Sequence, residues 1–400
     1  MPFDPAVIRA SFAVVERRAD HLTTFFYAHL FSHNPGLRSL FPAQLHEQRD
    51  RLFAALTRIV LRLDEPERLT EYLRALGRDH RKFQAAPEHY PAVGASLIAA
   101  LRQCSGHSWT PETEKAWTEA YTVIAQVMTG AATDLPEHHP VWWEVEVASR
   151  RRAAADLVVL TLAPMRPYPF TAGQYVTLSS PRTPRVWRPY SLANAPRPDG
   201  SLEVHVRRVP GGLLSPVLVE DVMPGELLRL GPPLGDAVLA PASDRPLLLV
   251  AGGSGWGQTK ALLEQLTAEQ PERPATVLLA ARSAAGQYDL DTVRRLLARN
   301  PRLRVLTAAP DHPAGPPGAT ALLRETLLGH GDFTDWEVHL SGPPELVAEL
   351  TELLLALGAD PWLVKHDPTP ATFNRNRPLT SSDWFLDHRD VPWINRTELE

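Results

Sequence analysis

The hydrophobic period of this chain changes twice, and those changes restrict its fold more than any single motif does. Up to about residue 136, apolar residues return at helical spacing: Ile8, Phe12 and Val15, then Leu22, Phe25, Phe26 and Leu30. Asp4-Pro5 opens the first run as an N-cap followed by proline, and Asn34-Pro35-Gly36 stops the second. Later runs carry Leu52, Phe53 and Leu56; Tyr72, Leu73 and Leu76; Val93, Leu97 and Leu101; and Trp117, Tyr121, Ile124 and Val127. Beyond the hinge Leu135-Pro136-Glu137-His138-His139-Pro140 the period drops to two. Trp143, Val145 and Val147 alternate with Glu144 and Glu146, and Leu202, Val204 and Val206 with Glu203, His205 and Arg207. From Pro246 the strands are apolar throughout, as in Leu247-Leu248-Leu249-Val250 and Val277-Leu278-Leu279, and helices alternate with them. The pattern predicts a multidomain chain. An all-α domain spans 1–136, an antiparallel β-barrel domain 141–242, a doubly wound α/β domain 243–367, and a polar tail with Trp384, Phe385 and Trp393 spans 368–400.

The bulk numbers exclude several function classes. A length of 400 residues exceeds one ordinary core. A net charge of -5 gives no footprint for nucleic acid, and the run Arg150-Arg151-Arg152 is expected to be a solvated turn between strands. Cys104 is the one cysteine, so no internal disulfide or thiolate cluster can form. No apolar run reaches the ~18 residues of a membrane span. Met1-Pro2-Phe3-Asp4 does not have the form of a signal peptide. The expectation is a cytoplasmic protein with small-molecule partners, away from nucleic acid and membrane.

Five segments carry chemistry. Arg188-Pro189-Tyr190-Ser191 lies between strand-like runs. Its aromatic ring can stack on a flavin, its hydroxyl can bond the flavin's polar edge, and its arginine can neutralise a diphosphate. Gly211-Gly212-Leu213-Leu214-Ser215 leads into a helix, where bare backbone and free N–H groups suit an anion. Gly173-Gln174-Tyr175 is a further candidate contact. Gly252-Gly253-Ser254-Gly255-Trp256-Gly257-Gln258-Thr259 joins a buried strand to a helix. It is neither GxGxxG nor a Walker loop, yet it offers a dinucleotide diphosphate the same helix N-terminus. Ser341-Gly342-Pro343-Pro344 follows a later strand, at the end of the sheet where ligands bind in such folds.

The helical part holds His21, His29, His33, His46, His80, His89 and His107. A helical histidine is ordinarily a surface or core residue, but His80 has informative neighbours. Arg78-Asp79-His80-Arg81-Lys82-Phe83-Gln84 leads to Pro87-Glu88-His89-Tyr90 and Val93-Gly94. This segment resembles the proximal part of a globin, where a neutral imidazole ligates haem iron. The resemblance implies that Phe41 wedges against the haem. It makes Tyr27 a distal tyrosine and places Gln48 with Leu52 on the distal helix, where a phenol and an amide would bond oxygen.

Residues 141–367 resemble the ferredoxin-reductase-type FAD/NAD(P)H module. The resemblance implies FAD on Arg188, Tyr190 and Ser191, with Gly212 and Ser215 at its diphosphate. It implies the nicotinamide cofactor on Gly255, Gly257, Gln258, Thr259, Gly342 and Pro343. Ser341 replaces the family's cysteine, which is expected to slow hydride transfer. Lys260 replaces its proline, which is expected to add a cation near the diphosphate.

Over residues 1–367 the chain is similar to the flavohaemoglobins. That implies haem b, FAD and NADH as cofactors, with NADPH an alternative. Arg282-Ser283 would suit a 2′-phosphate, whereas Tyr288-Asp289 resembles NADH-linked reductases and tips the expectation to NADH. The family's route runs from nicotinamide through flavin to haem, where oxygen and nitric oxide give nitrate. The alternatives are an oxygen or peroxide reductase, and an oxygen-binding sensor kept ferrous by its reductase. In the family a tyrosine and a glutamate bond the proximal histidine. Tyr90 matches the tyrosine, but Ala132 or a neighbour takes the glutamate's place and Asp134 is the nearest acid. Losing that bond would weaken the imidazole's push on bound oxygen.

Overall fold

In a computed structural model, residues 3–134, 140–235, 237–281, 286–308 and 316–366 are described. The hinge residues 135–139, the pair Arg282-Ser283 and the tail 368–400 lie outside them. The chain forms two compact units, parting between Val141 and Trp142.

The first unit is helical: α1 (Pro5–Glu16), α2 (Ala19–His33), α3 (His46–Leu61), α4 (Pro66–His80), α5 (Tyr90–Ser105) and α6 (Pro111–Thr133). Asp4 caps α1 as expected, its carboxylate accepting from the Ala6 N–H at 2.8 Å with Pro5 at the first position. The buried stripes Ile8/Phe12/Val15 and Leu73/Leu76 face one core with Leu101 and Trp117. Phe12 stacks on Phe53 with ring centroids 5.7 Å apart, which ties α1 to α3. Gly77 decides how closely α4 lies on α6. A Cβ at Gly77 would overlap the Met128 carbonyl and come within 2.7 Å of the Met128 Cα. A side chain there would push away the helix that ends in His80.

The second unit begins with six strands: β1 (Trp143–Ala154), β2 (Leu157–Pro164), β3 (Tyr175–Ser179), β4 (Arg188–Ser191), β5 (Leu202–Arg207) and β6 (Leu227–Leu234). They form an antiparallel sheet in the order β4-β3-β6-β1-β2-β5. One residue past β4, Leu192 bridges to Val204 of β5, so the two edges meet and the sheet closes on itself. Val145, Val147, Leu160, Val204 and Leu218 fill its interior, the last from the short helix α7 (Ser215–Glu220). One expectation is corrected here. Arg150-Arg151-Arg152 is no turn but the second half of β1, paired through Arg152↔Val158. The ladder needs only their backbones, and two of the guanidinium groups find carbonyls: Arg150 bonds Val219, and Arg152 bonds Ala155 at 2.7 Å.

Five parallel strands follow: β7 (Leu247–Gly252), β8 (Ala275–Ala280), β9 (Leu303–Ala308), β10 (Glu337–Ser341) and β11 (Val364–His366). Their helices are α8 (Trp256–Glu269), α9 (Leu290–Arg299), α10 (Pro316–His330) and α11 (Pro344–Ala356). The strand order is β11-β10-β7-β8-β9. Leu247 and Leu249 pack with α8 and α9 on one face, while Leu248 and Val250 pack with α10 and α11 on the other. This two-sided burial is why the strands read as unbroken apolar runs. From β7 the chain winds one way through β8 and β9, then returns to lay β10 on the other side. The crevice at this switch opens beyond the carboxyl ends of β7 and β10. Among the described residues, no helix is long and apolar enough to cross a membrane.

Candidate active site

His80 is the last residue of α4. Its Nδ1–H donates to the Leu76 carbonyl at 2.7 Å, which fixes the tautomer and leaves the Nε2 lone pair available. Burial pushes its pKa down, outweighing the opposing pull of Asp79, so the ring stays neutral. Asp79 and Lys82 flank it as a buried ion pair at 2.5 Å. Among the described residues no group of three or more His, Cys, Asp or Glu could hold a metal ion. A single neutral imidazole therefore suits a metal whose other ligands come with it, as in a porphyrin.

The remaining expected haem contacts come from α2, α3 and the corner between them. Tyr27 is buried against Phe26, Phe31 and Phe41, with centroids 4.9, 5.8 and 5.6 Å away. Its hydroxyl donates to the main-chain carbonyl of Gln48 at 3.1 Å, so these two residues do meet. Burial raises the Tyr27 pKa and keeps the phenol protonated. The Gln48 side-chain oxygen accepts from Arg51 at 3.4 Å, and Leu52 follows on the same helix. Phe41 is held by a residue sequence reasoning missed. Arg38 donates to the carbonyls of Phe41, Pro42 and Ala43 at 3.1, 2.9 and 2.8 Å. Those acceptors are backbone, so no side-chain pattern announces the clamp. Tyr90 opens α5, but the His80 Nδ1 partner is the Leu76 carbonyl rather than the Tyr90 hydroxyl. Ala132 lies in α6 and Asp134 caps its end, exposed.

In the second unit, Arg188-Pro189-Tyr190-Ser191 forms β4, the first strand in the order of the antiparallel sheet, with Tyr190 opposite Val176 and Ser191 opposite Tyr175. Tyr190 packs against the barrel core, and Arg188 donates to the Trp187 carbonyl at 2.9 Å. The Gly211-Gly212 turn has Gly211 at φ +73°, a conformation that favours glycine, with open space where a Cβ would stand. Ser215 at the start of α7 accepts from the Val209 N–H at 3.0 Å and braces that turn. An open turn of bare backbone at a helix start fits a diphosphate.

The glycine loop and the Ser341-Gly342 segment meet at the switch crevice. A Cβ on Gly255 would overlap the Ser341 carbonyl, and one on Gly342 would come within 3.1 Å of Gly252. Ser341 donates its hydroxyl to the Gly255 carbonyl at 2.8 Å. Gln258 and Thr259 are buried behind the loop instead of lining the crevice. Gln258 donates to the Gly173 carbonyl at 3.2 Å, and Thr259 meets the Ser341 hydroxyl at 3.2 Å. Pro343 precedes the first turn of α11. Beside the loop, Gly253, Trp256, Ala280, Ala281, Tyr288 and Asp289 line a half-open cleft. Asp289 accepts from the Trp256 indole at 2.9 Å. The Lys260 expectation is corrected. Its ammonium turns away from the loop, 4% of the residue being exposed, and meets Glu203 and Glu264 at 3.1 and 2.7 Å. An ammonium this buried needs paired charge, and the two carboxylates supply it.

The globin family profile matches residues 24–128, and that of the oxidoreductase FAD-binding domain matches residues 144–238. The chain is similar to a flavohemoprotein of Pseudomonas putida, 30% identical over 371 residues, covering 88% of this chain and 94% of that protein. It is similar to a flavohemoprotein of Deinococcus radiodurans, 31% identical over 335 residues, covering 78% of this chain and 82% of that protein. In fold it is similar to a crystal structure of a flavohemoglobin from Malassezia yamatoensis with bound FAD and heme. That match has a TM-score of 0.73 and 21% identity and covers 91% of this chain and 97% of that chain.

Proposed function

Because the chain belongs to the flavohaemoprotein family, we propose that this oxidoreductase is a nitric oxide dioxygenase, turning nitric oxide to nitrate at the expense of NADH. Residues 1–136 are the haem domain, 141–242 the FAD domain and 243–367 the nicotinamide domain, with 368–400 a tail. Bound haem supplies a one-electron iron centre, and bound FAD divides a two-electron donor into single-electron steps.

The chain's own residues do the rest. His80 offers Nε2 to the iron, while its Nδ1 bond to Leu76 keeps the ring from turning. Tyr27 holds a phenol proton close to Gln48, ready to be shared with a ligand on the distal side. Phe41 and Leu52 wall that side against water. Tyr90 shapes the proximal wall from α5. Arg188, Tyr190 and Ser191 hold the flavin, and Gly212 and Ser215 shape the turn for its diphosphate. Gly255, Gly257, Gly342 and Pro343 let the dinucleotide approach the backbone at the crevice, and Gln258 and Thr259 fix the loop from behind. The carboxylate of Asp289 in the cleft disfavours a 2′-phosphate, which supports NADH over NADPH.

The observation that carries the reading is the single neutral imidazole with a free Nε2, on one chain with a flavin strand and a dinucleotide crevice. The test uses protein loaded with haem and FAD, given NADH, oxygen and nitric oxide. Nitrate should accumulate in step with NADH consumed. Peroxide or superoxide as the product, with nitric oxide no faster to disappear than without enzyme, would overturn it.

A further inference from the structure

The dinucleotide helix, the flavin segment and the cleft wall share one largely buried chain of polar contacts, which the proposed reaction does not use. Lys260 of α8 donates to the Ala193 carbonyl at 2.7 Å, just past Ser191, and pairs with Glu203 of β5 at 3.1 Å. Glu203 Oε1 also lies 2.9 Å from His205 Nε2, while Arg197 holds its other oxygen at 3.0 Å. His205 Nδ1 lies 2.8 Å from the hydroxyl of Tyr288, and Tyr288 lines the cleft.

The Glu203 carboxylate fixes the hydrogen-bond polarity at its end of this chain. Burial opposes the charge on Glu203, but the His205 N–H, the Lys260 ammonium and Arg197 outweigh it and keep the carboxylate ionised. An ionised carboxylate only accepts, so Nε2 of His205 carries the hydrogen. Nδ1 and the Tyr288 hydroxyl share the second hydrogen bond of the ring. Burial raises the Tyr288 pKa, so the phenol keeps its proton. The two rings are set edge to face, 5.5 Å apart at 72°. Gly257 makes room, since a Cβ there would stand 3.3 Å from His205 Nδ1.

We propose that Tyr288 is a positioning residue for the bound dinucleotide, aimed by the buried His205 and the half-buried Glu203 with Lys260 behind them. The proposal rests on the reading of the cleft as the dinucleotide site. A tyrosine free to turn would have to be ordered when ligand packs on it; the tether orders it beforehand. Through Lys260 and Ala193, the same support holds the flavin segment, so cleft wall and flavin strand keep one register.

The test is calorimetric titration of FAD-loaded full-length protein with NAD⁺, which needs neither haem nor turnover. Tyr288→Phe keeps the ring and cuts the tether, and should raise Kd about fivefold, the worth of one neutral hydrogen bond. His205→Leu should do the same, and the double variant should bind no more weakly than either single one, because both cut one contact. Flavin absorbance should not change in Tyr288→Phe. If the wild type binds and Tyr288→Phe binds equally well, the positioning role is overturned and the cleft reading stands. A double variant about 25-fold weaker, as two independent contacts would give, also overturns it. Should His205→Leu fail to fold, Tyr288→Phe decides alone. A wild type that does not bind NAD⁺ overturns the cleft reading and this proposal together.

Discussion

Replacing Gly77 with alanine sets two effects of known sign against each other. Alanine within a helix is favoured over glycine by about 0.8–1.0 kcal/mol. Yet the new methyl would overlap the Met128 carbonyl of α6 and stand 2.7 Å from the Met128 Cα. Backbone cannot rotate aside as a side chain can, and overpacking of this kind costs about 1–3 kcal/mol. Since the overlap is with main chain, the upper part of that range applies, for a net loss of about 1–2 kcal/mol. In a unit of this size that lowers the melting point by about 4–8 °C. Gly130 in α6 is the control, because nothing lies within 4 Å of a Cβ there. Gly130→Ala should raise the melting point by a few degrees, about 0.5–1 kcal/mol. Both are read by following the Soret band of haem-loaded protein through a thermal ramp. Gly77→Ala should also retain haem less well, because α4 carries His80. If Gly77→Ala stabilises the protein as much as Gly130→Ala, the argument that this glycine sets the α4–α6 distance is refuted.

Three further outcomes are expected. Arg38→Ala removes three bonds to the Phe41 corner and should cost about 2 kcal/mol in the helical unit and speed haem loss to apomyoglobin; an unchanged loss rate contradicts the clamp. Arg273→Met leaves Glu337 short of its partner at 2.6 Å, both side chains being almost fully buried, and should destabilise the second unit by about 3–5 kcal/mol in a urea titration followed by flavin fluorescence. A loss under 1 kcal/mol would show that Lys365 and His339 suffice. Acid should weaken that unit in two stages. Burial holds the His339 pKa down; Glu337 is held down because His339, Lys365 and Arg273 outweigh burial. Both folded values lie below the unfolded ones, so both contributions are complete above the unfolded pKa and disappear as pH falls. Melting points should therefore drop below about pH 6.5 and more steeply below about pH 4.3, whereas constant values from pH 8 to 4 would contradict the assignment.

How much of this was legible depended on whether the signal was local. The change of period located the helical unit and both sheets, because each residue's burial follows from its own element. The caps at Asp4 and the stop at Asn34 were equally local. Arg150-Arg151-Arg152 misled because charge suggests a turn, while an edge of β1 needs only backbone. The glycine loop and Ser341-Gly342 were readable as motifs, but their meeting at the switch crevice depends on strand order, which no short segment encodes. Lys260 was read from its place beside the loop; the carboxylates that claim it stand on other elements or a full helical turn away. The tether from His205 to Tyr288 spans 83 positions, and the Arg38 clamp uses carbonyls that every residue has. Neither leaves a trace in residue spacing.

The optical spectrum tests directly whether His80 is the residue that holds the iron. Full-length apoprotein and His80→Gly, each given haemin, reduced with dithionite and exposed to carbon monoxide, should differ. The wild type should show one sharp Soret band of histidine-ligated haem. The variant should lose that band and recover it when imidazole is added to fill the vacated side. An identical spectrum in the two proteins, insensitive to imidazole, would contradict the claim that this imidazole holds the iron.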